Sequence, residues 1–245
     1  MKIAVCTIAY NEEEYIGACI EQFKPFGLHH LVLLSSKSWN GTPVEPDKTK
    51  SIAIDKGAEV IVQHWLTEHE QRNFGLARLY DYDYVLIVDA DELYEKNDIE
   101  TILRDLENKE PCYRADKMIT YWKNSDYIFE PADGHKPIIA VNPKKVKFYE
   151  HRQPMPVEIK MLQDYQPVVG IKIHHFSWAK KDEKIKEKIS SFSHADIIRP
   201  YWYEDIWQKW TPEMTNIRAY GIEVSKAVYN PAPQEIIDLI NKGRT

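Results

Sequence analysis

The chain has 245 residues, a formal net charge of −6, 43% hydrophobic residues and 29% charged residues. That length holds one sizeable core and is short for two typical domains plus a linker. The composition is that of a soluble globular protein, and the acidic balance gives no global basic field for nucleic acid or an anionic membrane. Basic residues cluster only locally, at Lys144–Lys147 and Lys180–Lys188. Three cysteines, Cys6, Cys19 and Cys112, form no CxxC pair. An odd count argues against a disulfide framework or a cysteine zinc site and points to a reducing, cytoplasmic compartment. The start, MKIAVCTIAYNEEE, turns acidic and lacks the apolar core and cleavage site of a signal peptide. No apolar run approaches the ~20 residues that cross a bilayer, so any membrane association is expected to be peripheral.

In chain order, Lys2–Ala9 is a short apolar run rich in β-branched residues and predicts a strand. Glu12–Phe23 carries Tyr15, Ile16, Cys19, Ile20 and Phe23 at helical spacing. His30–Leu34 predicts a second strand, Lys48–Lys56 a helix ended by Gly57, and Glu59–Gln63 a third strand. Glu68–Leu79 predicts a helix, Tyr84–Val88 a fourth strand and Asp98–Leu106 another helix. This alternation implies βαβ units and a mostly parallel sheet with helices on both faces. VLIV and HLVLL are continuous apolar runs, as buried parallel strands are. Ligands bind such sheets at the carboxyl ends of the strands. Asn11, Ser35, Ser36, Asp89 and Asp91 all follow strand ends and are expected on one rim.

After residue 110 the pattern changes to α+β. Strands are predicted at Asp116–Trp122, Pro137–Val141, Glu158–Met161 and Val168–His174, with longer connections. Residues 181–229 read as helical, with an aromatic stretch at Tyr201–Trp210. Tyr203, Trp207 and Trp210 recur at helical spacing, which favours packing over sugar stacking. The expected organisation is a domain over 1–195 and a helical C-terminal extension over 196–245 packed on it.

Four short stretches carry candidate chemistry. In Asp89-Ala90-Asp91 an extended chain turns both carboxylates to one side, and Glu92 away. Two such carboxylates repel unless a cation lies between them. A hard divalent ion, Mg²⁺ or Mn²⁺, satisfies them and also holds phosphates; the competing reading is a solvated strand end. Ile8-Ala9-Tyr10-Asn11-Glu12-Glu13 runs from a strand into a helix start and reads as a helix cap or a nucleotide contact. Gln71-Arg72-Asn73-Phe74-Gly75-Leu76 offers Arg72 to a phosphate or a carboxylate. In Ile173-His174-His175-Phe176-Ser177-Trp178 the adjacent histidines face opposite sides, so one at most serves a given site.

In their order and spacing these stretches resemble the family 2 glycosyltransferases with a GT-A fold, in particular the lipopolysaccharide-core-type branch. The resemblance rests on the Ile8–Glu13 strand end, Arg72–Leu76, Val88-Asp89-Ala90-Asp91-Glu92 and His175-Phe176-Ser177-Trp178, and covers roughly residues 1–195. It implies a nucleotide-diphospho-sugar donor, a Mn²⁺ or Mg²⁺ ion on Asp91 with Asp89 and His175, and a nucleotide pocket of Ala9, Tyr10, Asn11, Glu12, Ser35, Arg72, Asp89 and Ala90. The acceptor is a glycan, a lipid-linked glycan or a protein, in cell-surface glycan or glycoconjugate synthesis. The chain departs from the family where Ser35 replaces an acid that reads the base, and where the family's His-Glu pair is matched by Val157-Glu158 or, in a competing match, by Glu150-His151. The candidate bases for the acceptor hydroxyl are Glu158, then Asp133, then Glu150. Homo-oligomer formation is left open.

Two other classes compete. A haloacid-dehalogenase-like phosphatase places its DxD on the first strand, whereas here it lies on the fourth. A sugar nucleotidyltransferase needs a glycine-rich basic loop after the first strand, and Ala9-Tyr10-Asn11-Glu12 is not one. The remaining alternative is a non-catalytic module on the same fold that binds a nucleotide sugar or a glycan.

Overall fold

The computed structural model describes residues 1–40, 45–132, 134–157, 166–193, 195–221 and 224–245. The expected base candidates Asp133 and Glu158 and the strand expected at 158–161 lie outside the described residues.

The first half alternates as the apolar runs dictate. Strands β1 (Ile3–Ala9), β2 (His29–Ser35), β3 (Glu59–Gln63) and β4 (Tyr84–Asp89) are joined by helices α1 (Ile16–Glu21), α2 (Thr49–Asp55) and α3 (Glu68–Arg78). The four strands are parallel and stand in the order β4-β1-β2-β3. Side chains alternate across β1 and split the core. Val5 faces Tyr15, Cys19 and Phe23 of the α1 region. Ala4, Cys6 and Ile8 face Leu76 and Leu79 on the other side. The Thr67 side chain caps α3, accepting from Glu70 N at 3.3 Å. Gly75 lets α3 lie against β1, since a Cβ there would overlap Cys6 Sγ.

The second half extends this sheet largely in antiparallel fashion. β5 (Glu92–Leu93) and α4 (Lys96–Asp105) follow β4. β6 (Cys112–Trp122), β7 (Tyr127–Glu130) and β8 (Ile138–Val141) come next, with β8 antiparallel to β4 and to β6, and β6 antiparallel to β7. β9 (Val146–Glu150) and β10 (Gln153–Pro156) form a separate hairpin. β11 (Gln166–Trp178) is parallel to β6 and antiparallel to β5. α5 (Asp182–Ser191) follows it directly.

The expectation of helix over 181–229 holds for α5 and for the short helical turns at Ala195–Ile197 and Tyr203–Trp207, and fails at the end of the range. Lys226–Tyr229 is a strand, β12, antiparallel to β7 at the sheet edge. Its Ala227 is buried while Lys226 and Tyr229 are exposed, as fits a short strand at the end of the sheet. The aromatic stretch packs inward: Trp202 and Trp207 are buried against Trp122, Phe129 and Trp178. α6 (Gln234–Arg244) closes the chain and lays Ile236 and Ile240 into the α1 side of the core. Among the described residues no helix is long and apolar enough to cross a membrane.

Candidate active site

β1 and β4 are neighbours in register, with Ile8 opposite Asp89, so their carboxyl ends meet at one edge. A cavity of about 310 Å³ opens there. Ala9, Tyr10, Asn11 and Glu12 line it from β1, Asp89, Ala90 and Asp91 from β4, and Arg72 from α3. His175 from β11 and Lys180, Lys184 and Lys188 from the α5 segment complete the wall. Ser35 is buried and donates to Lys37 O at 2.6 Å instead of lining this cavity.

The two aspartates do not act as an extended pair. The chain turns at Ala90 and Asp91, between β4 and β5. Asp89 meets Arg72, whose Nη2 lies 2.8 Å from Oδ1 and 3.2 Å from Oδ2. Arg152 Nη1 stands 3.5 Å from the same Oδ2. Asp91 turns instead toward β11 and α5, with Lys180 Nζ at 3.2 Å, Lys188 Nζ at 3.7 Å and His175 Nε2 at 3.7 Å. Burial opposes ionisation of Asp91, but the Lys180 and Lys188 ammonium groups outweigh it and hold the carboxyl well below the usual carboxylate range.

Glu92 is a correction to simple alternation. It does not point away; it folds back beneath the strand end, 2% exposed. Its carboxylate accepts from Asp89 N at 3.1 Å and from Arg152 Nη1 at 2.5 Å. Arg152, at the turn between β9 and β10, also donates to Ile87 O at 2.5 Å and to Ile138 O at 2.7 Å. It therefore anchors the hairpin and fixes the turn after β4. The sequence offered no signal for Arg152, a lone arginine sixty residues from Glu92 and sixty-three from Asp89.

On the opposite wall, Lys180 Nζ lies 2.6 Å from both carboxylate oxygens of Glu12. Burial would lower the Lys180 pKa, but Glu12 and Asp91 raise it and hold the ammonium charged. Lys188 Nζ donates to Ser177 Oγ at 2.5 Å. Burial, then the neighbouring Lys180 charge, push its pKa down. Asn11 adopts φ +51 and bridges three segments. It donates to Glu45 O at 2.8 Å and to Glu187 Oε1 at 2.6 Å, and accepts from Asp47 N at 3.3 Å. The spacing of Lys180, Lys184 and Lys188 by four residues was the readable sign that one face of this segment meets the site.

The adjacent histidines separate as strand alternation requires. His174 bonds Tyr121 through Nδ1 at 2.8 Å and approaches Glu95 through Nε2 at 3.5 Å. His175 is held at Nδ1 by Thr120 Oγ1 at 3.2 Å, which leaves Nε2 toward Asp91. Burial lowers its pKa, so the ring is neutral and suited to ligation at neutral pH.

These donors fit the protein's share of a divalent-ion site. Asp91 Oδ1 and His175 Nε2 stand 3.7 Å apart on the cavity wall. Such ions are often bound by one or two protein groups, with substrate phosphates and waters filling the other positions. Asp89 fits less well, because Arg72 and Arg152 already engage its oxygens. Among the described residues no group of three or more His, Cys, Asp or Glu side chains is arranged to hold a metal.

A second cavity of about 270 Å³ borders the first and shares Trp39, Glu68 and Ser193 with it. Glu150 and His151 line it. Glu68 accepts from Ser193 Oγ at 2.6 Å and faces His151 Nδ1 at 3.7 Å. Burial would raise its pKa, but the bond to His151 and the Arg72 charge bring it down to about 2, so Glu68 serves as a fixed anion.

A comparison with curated proteins finds no match. The family model for Glycosyl transferase family 2 matches residues 4–184, about three quarters of the chain. The matched span runs from β1 into α5 and includes every described cavity wall from Ala9 to Lys184. The curled mixed sheet with flanking helices is consistent with a GT-A fold. The chain belongs to glycosyl transferase family 2.

Proposed function

We propose that the protein is a metal-assisted glycosyltransferase that moves a sugar from a nucleotide-diphospho-sugar to an acceptor hydroxyl, in the synthesis of a cell-surface glycan or glycoconjugate. The observation that carries this reading is the pairing of Asp91 with His175 on the wall of the β1/β4 cavity. Charge balance supports it. The cations Arg72, Arg152, Lys180 and Lys188 face the carboxylates Asp89, Asp91, Glu92 and Glu12. These pairs leave the wall little positive charge beyond Lys188 for an incoming diphosphate, and a divalent ion on Asp91 and His175 would add to it and act as Lewis acid at the leaving group.

The chain's own residues do the rest. Asp91 and His175 hold their orientation through Lys180 and Thr120. Arg72 and Arg152 fix Asp89 at the strand end, where it serves the ribose side of the donor. Asn11 and Glu12 order the β1 rim against α5 and the 45–49 segment. Inversion at the anomeric carbon requires a base for the acceptor proton, and Glu158 and Asp133 remain the first candidates.

The test is hydrolysis of a panel of nucleotide sugars with Mn²⁺ and with chelator. Turnover of one donor is expected with Mn²⁺, lost with chelator and reduced at least ~100-fold in Asp91→Asn. Metal-dependent turnover of no donor, with donor binding retained, would favour the binding-module reading. Turnover indifferent to both chelator and Asp91→Asn would end the metal reading.

A further inference from the structure

A buried ammonium group persists only where anions or dipoles surround it. The α5 segment brings three lysines to the cavity wall, and two have dedicated partners. Lys184 Nζ lies 2.6 Å from Asp47 Oδ2. Lys180 Nζ lies 2.6 Å from both oxygens of Glu12 and 3.2 Å from Asp91. Lys188 is held differently. Its closest partner is a neutral hydroxyl, Ser177 Oγ, at 2.5 Å. Its nearest carboxylate is Asp91 Oδ2 at 3.7 Å, beyond hydrogen-bond distance, and Lys180 approaches that same oxygen more closely. The Trp178 ring centroid is 5.7 Å away, at the outer edge of a cation–π contact. The Lys188 side chain is 17% exposed and lines the cavity. An ammonium has three donors, and Ser177 takes one.

The geometry points to Lys188 as the residue that binds the donor's diphosphate and meets the charge that develops on its β-phosphate oxygen. The assignment rests on the sugar-transfer reading above. In that reaction the bond between the anomeric carbon and the β-phosphate oxygen breaks, and its electron pair stays on the oxygen. The acceptor oxygen forms the new bond to the same carbon and gives its proton to a base. Lys188 donates an N–H to the oxygen that gains the charge, an interaction stronger in the transition state than in the bound donor. Ser177 aims the ammonium. Lys180, locked between Glu12 and Asp91, is a positioning residue that ties the end of β1 to the turn after β4.

The test is calorimetric binding of UDP, GDP, CDP, ADP and dTDP and of the matching monophosphates, all in EDTA, to the wild type, Lys188→Met and Lys188→Arg. The wild type is expected to bind one diphosphate more tightly than its monophosphate. Lys188→Met is expected to weaken that diphosphate about 10–100-fold, as for loss of one charge-assisted hydrogen bond, with monophosphate binding within about twofold. Donor turnover with Mn²⁺ is expected to lose about 10²–10³ in kcat, and Lys188→Arg to restore part of both. Unchanged diphosphate affinity and kcat in Lys188→Met would overturn the assignment and leave the sugar-transfer reading standing. Equal losses for mono- and diphosphate, or a wild type that prefers the diphosphate only when Mn²⁺ is present, would overturn it as well. A wild type that binds no nucleotide with or without Mn²⁺ would overturn both. Should Lys188→Met fail to fold, Ser177→Ala carries the same test, with a smaller loss again confined to the diphosphate.

Discussion

Arg152 ties together the carboxylates of Glu92 and Asp89 and the carbonyls of Ile87 and Ile138, while 8% of its side chain reaches solvent. Removing it strands Glu92, a buried carboxylate with no other cation in contact among the described residues. Breaking such a pair from one side costs about 3–5 kcal/mol. Arg152→Met is therefore expected to lose that much in urea unfolding, and Glu92→Gln in the same chain to recover part of it. A loss below ~1 kcal/mol would show that the network carries no such weight. None of this was legible in the sequence, because a lone arginine in a turn has no periodicity and its partners come from distant strands. The placement of Asp91 and His175 on the cavity wall was legible, since Asp91 comes just past the end of an apolar strand and His175 lies on a strand whose alternation sends the two adjacent histidines to opposite sides. The separate duties of Asp89 and Asp91 were not: the turn at Ala90, not the spacing of two, decides where each carboxylate points.

Among the elements, the continuous apolar strands were the most readable, since VLIV and HLVLL are buried on both faces. β3 was found at Glu59–Gln63 as expected, although it stands at the sheet edge. The edge strand β12 was misread as helix because its four residues hold too little pattern to compete with the helical spacing before them. The contact of α1 with α6 was also hidden, since it depends on two glycines far apart in sequence. Gly17 and Gly243 face each other so closely that a Cβ on either would overlap the other's backbone. Backbone cannot yield as a flexible side chain does, so overpacking there costs about 1–3 kcal/mol. Gly243→Ala is expected to lower thermal stability by that amount without altering donor affinity. An unchanged melting temperature would mean that α6 docks more loosely than this crossing implies.

At the scale of the whole molecule, the division of labour follows from strand direction. Parallel strands β4-β1-β2-β3 present their carboxyl ends together and make the rim. The largely antiparallel half returns β11 beside β5, which delivers His175 to Asp91 and then α5 to the rim. The family match over residues 4–184 covers that whole circuit up to the first turn of α5, and Lys188 lies one turn beyond it. On the proposed function, Asp91 and His175 would hold a divalent ion against the donor's diphosphate in the β1/β4 cavity. Anomalous diffraction from crystals grown with Mn²⁺ and the nucleoside diphosphate of the preferred donor tests it most directly. A manganese peak contacting Asp91, His175 and the diphosphate is expected, and is expected to be absent from Asp91→Asn crystals. A diphosphate bound in this cavity with manganese elsewhere, or with none, would contradict that reading.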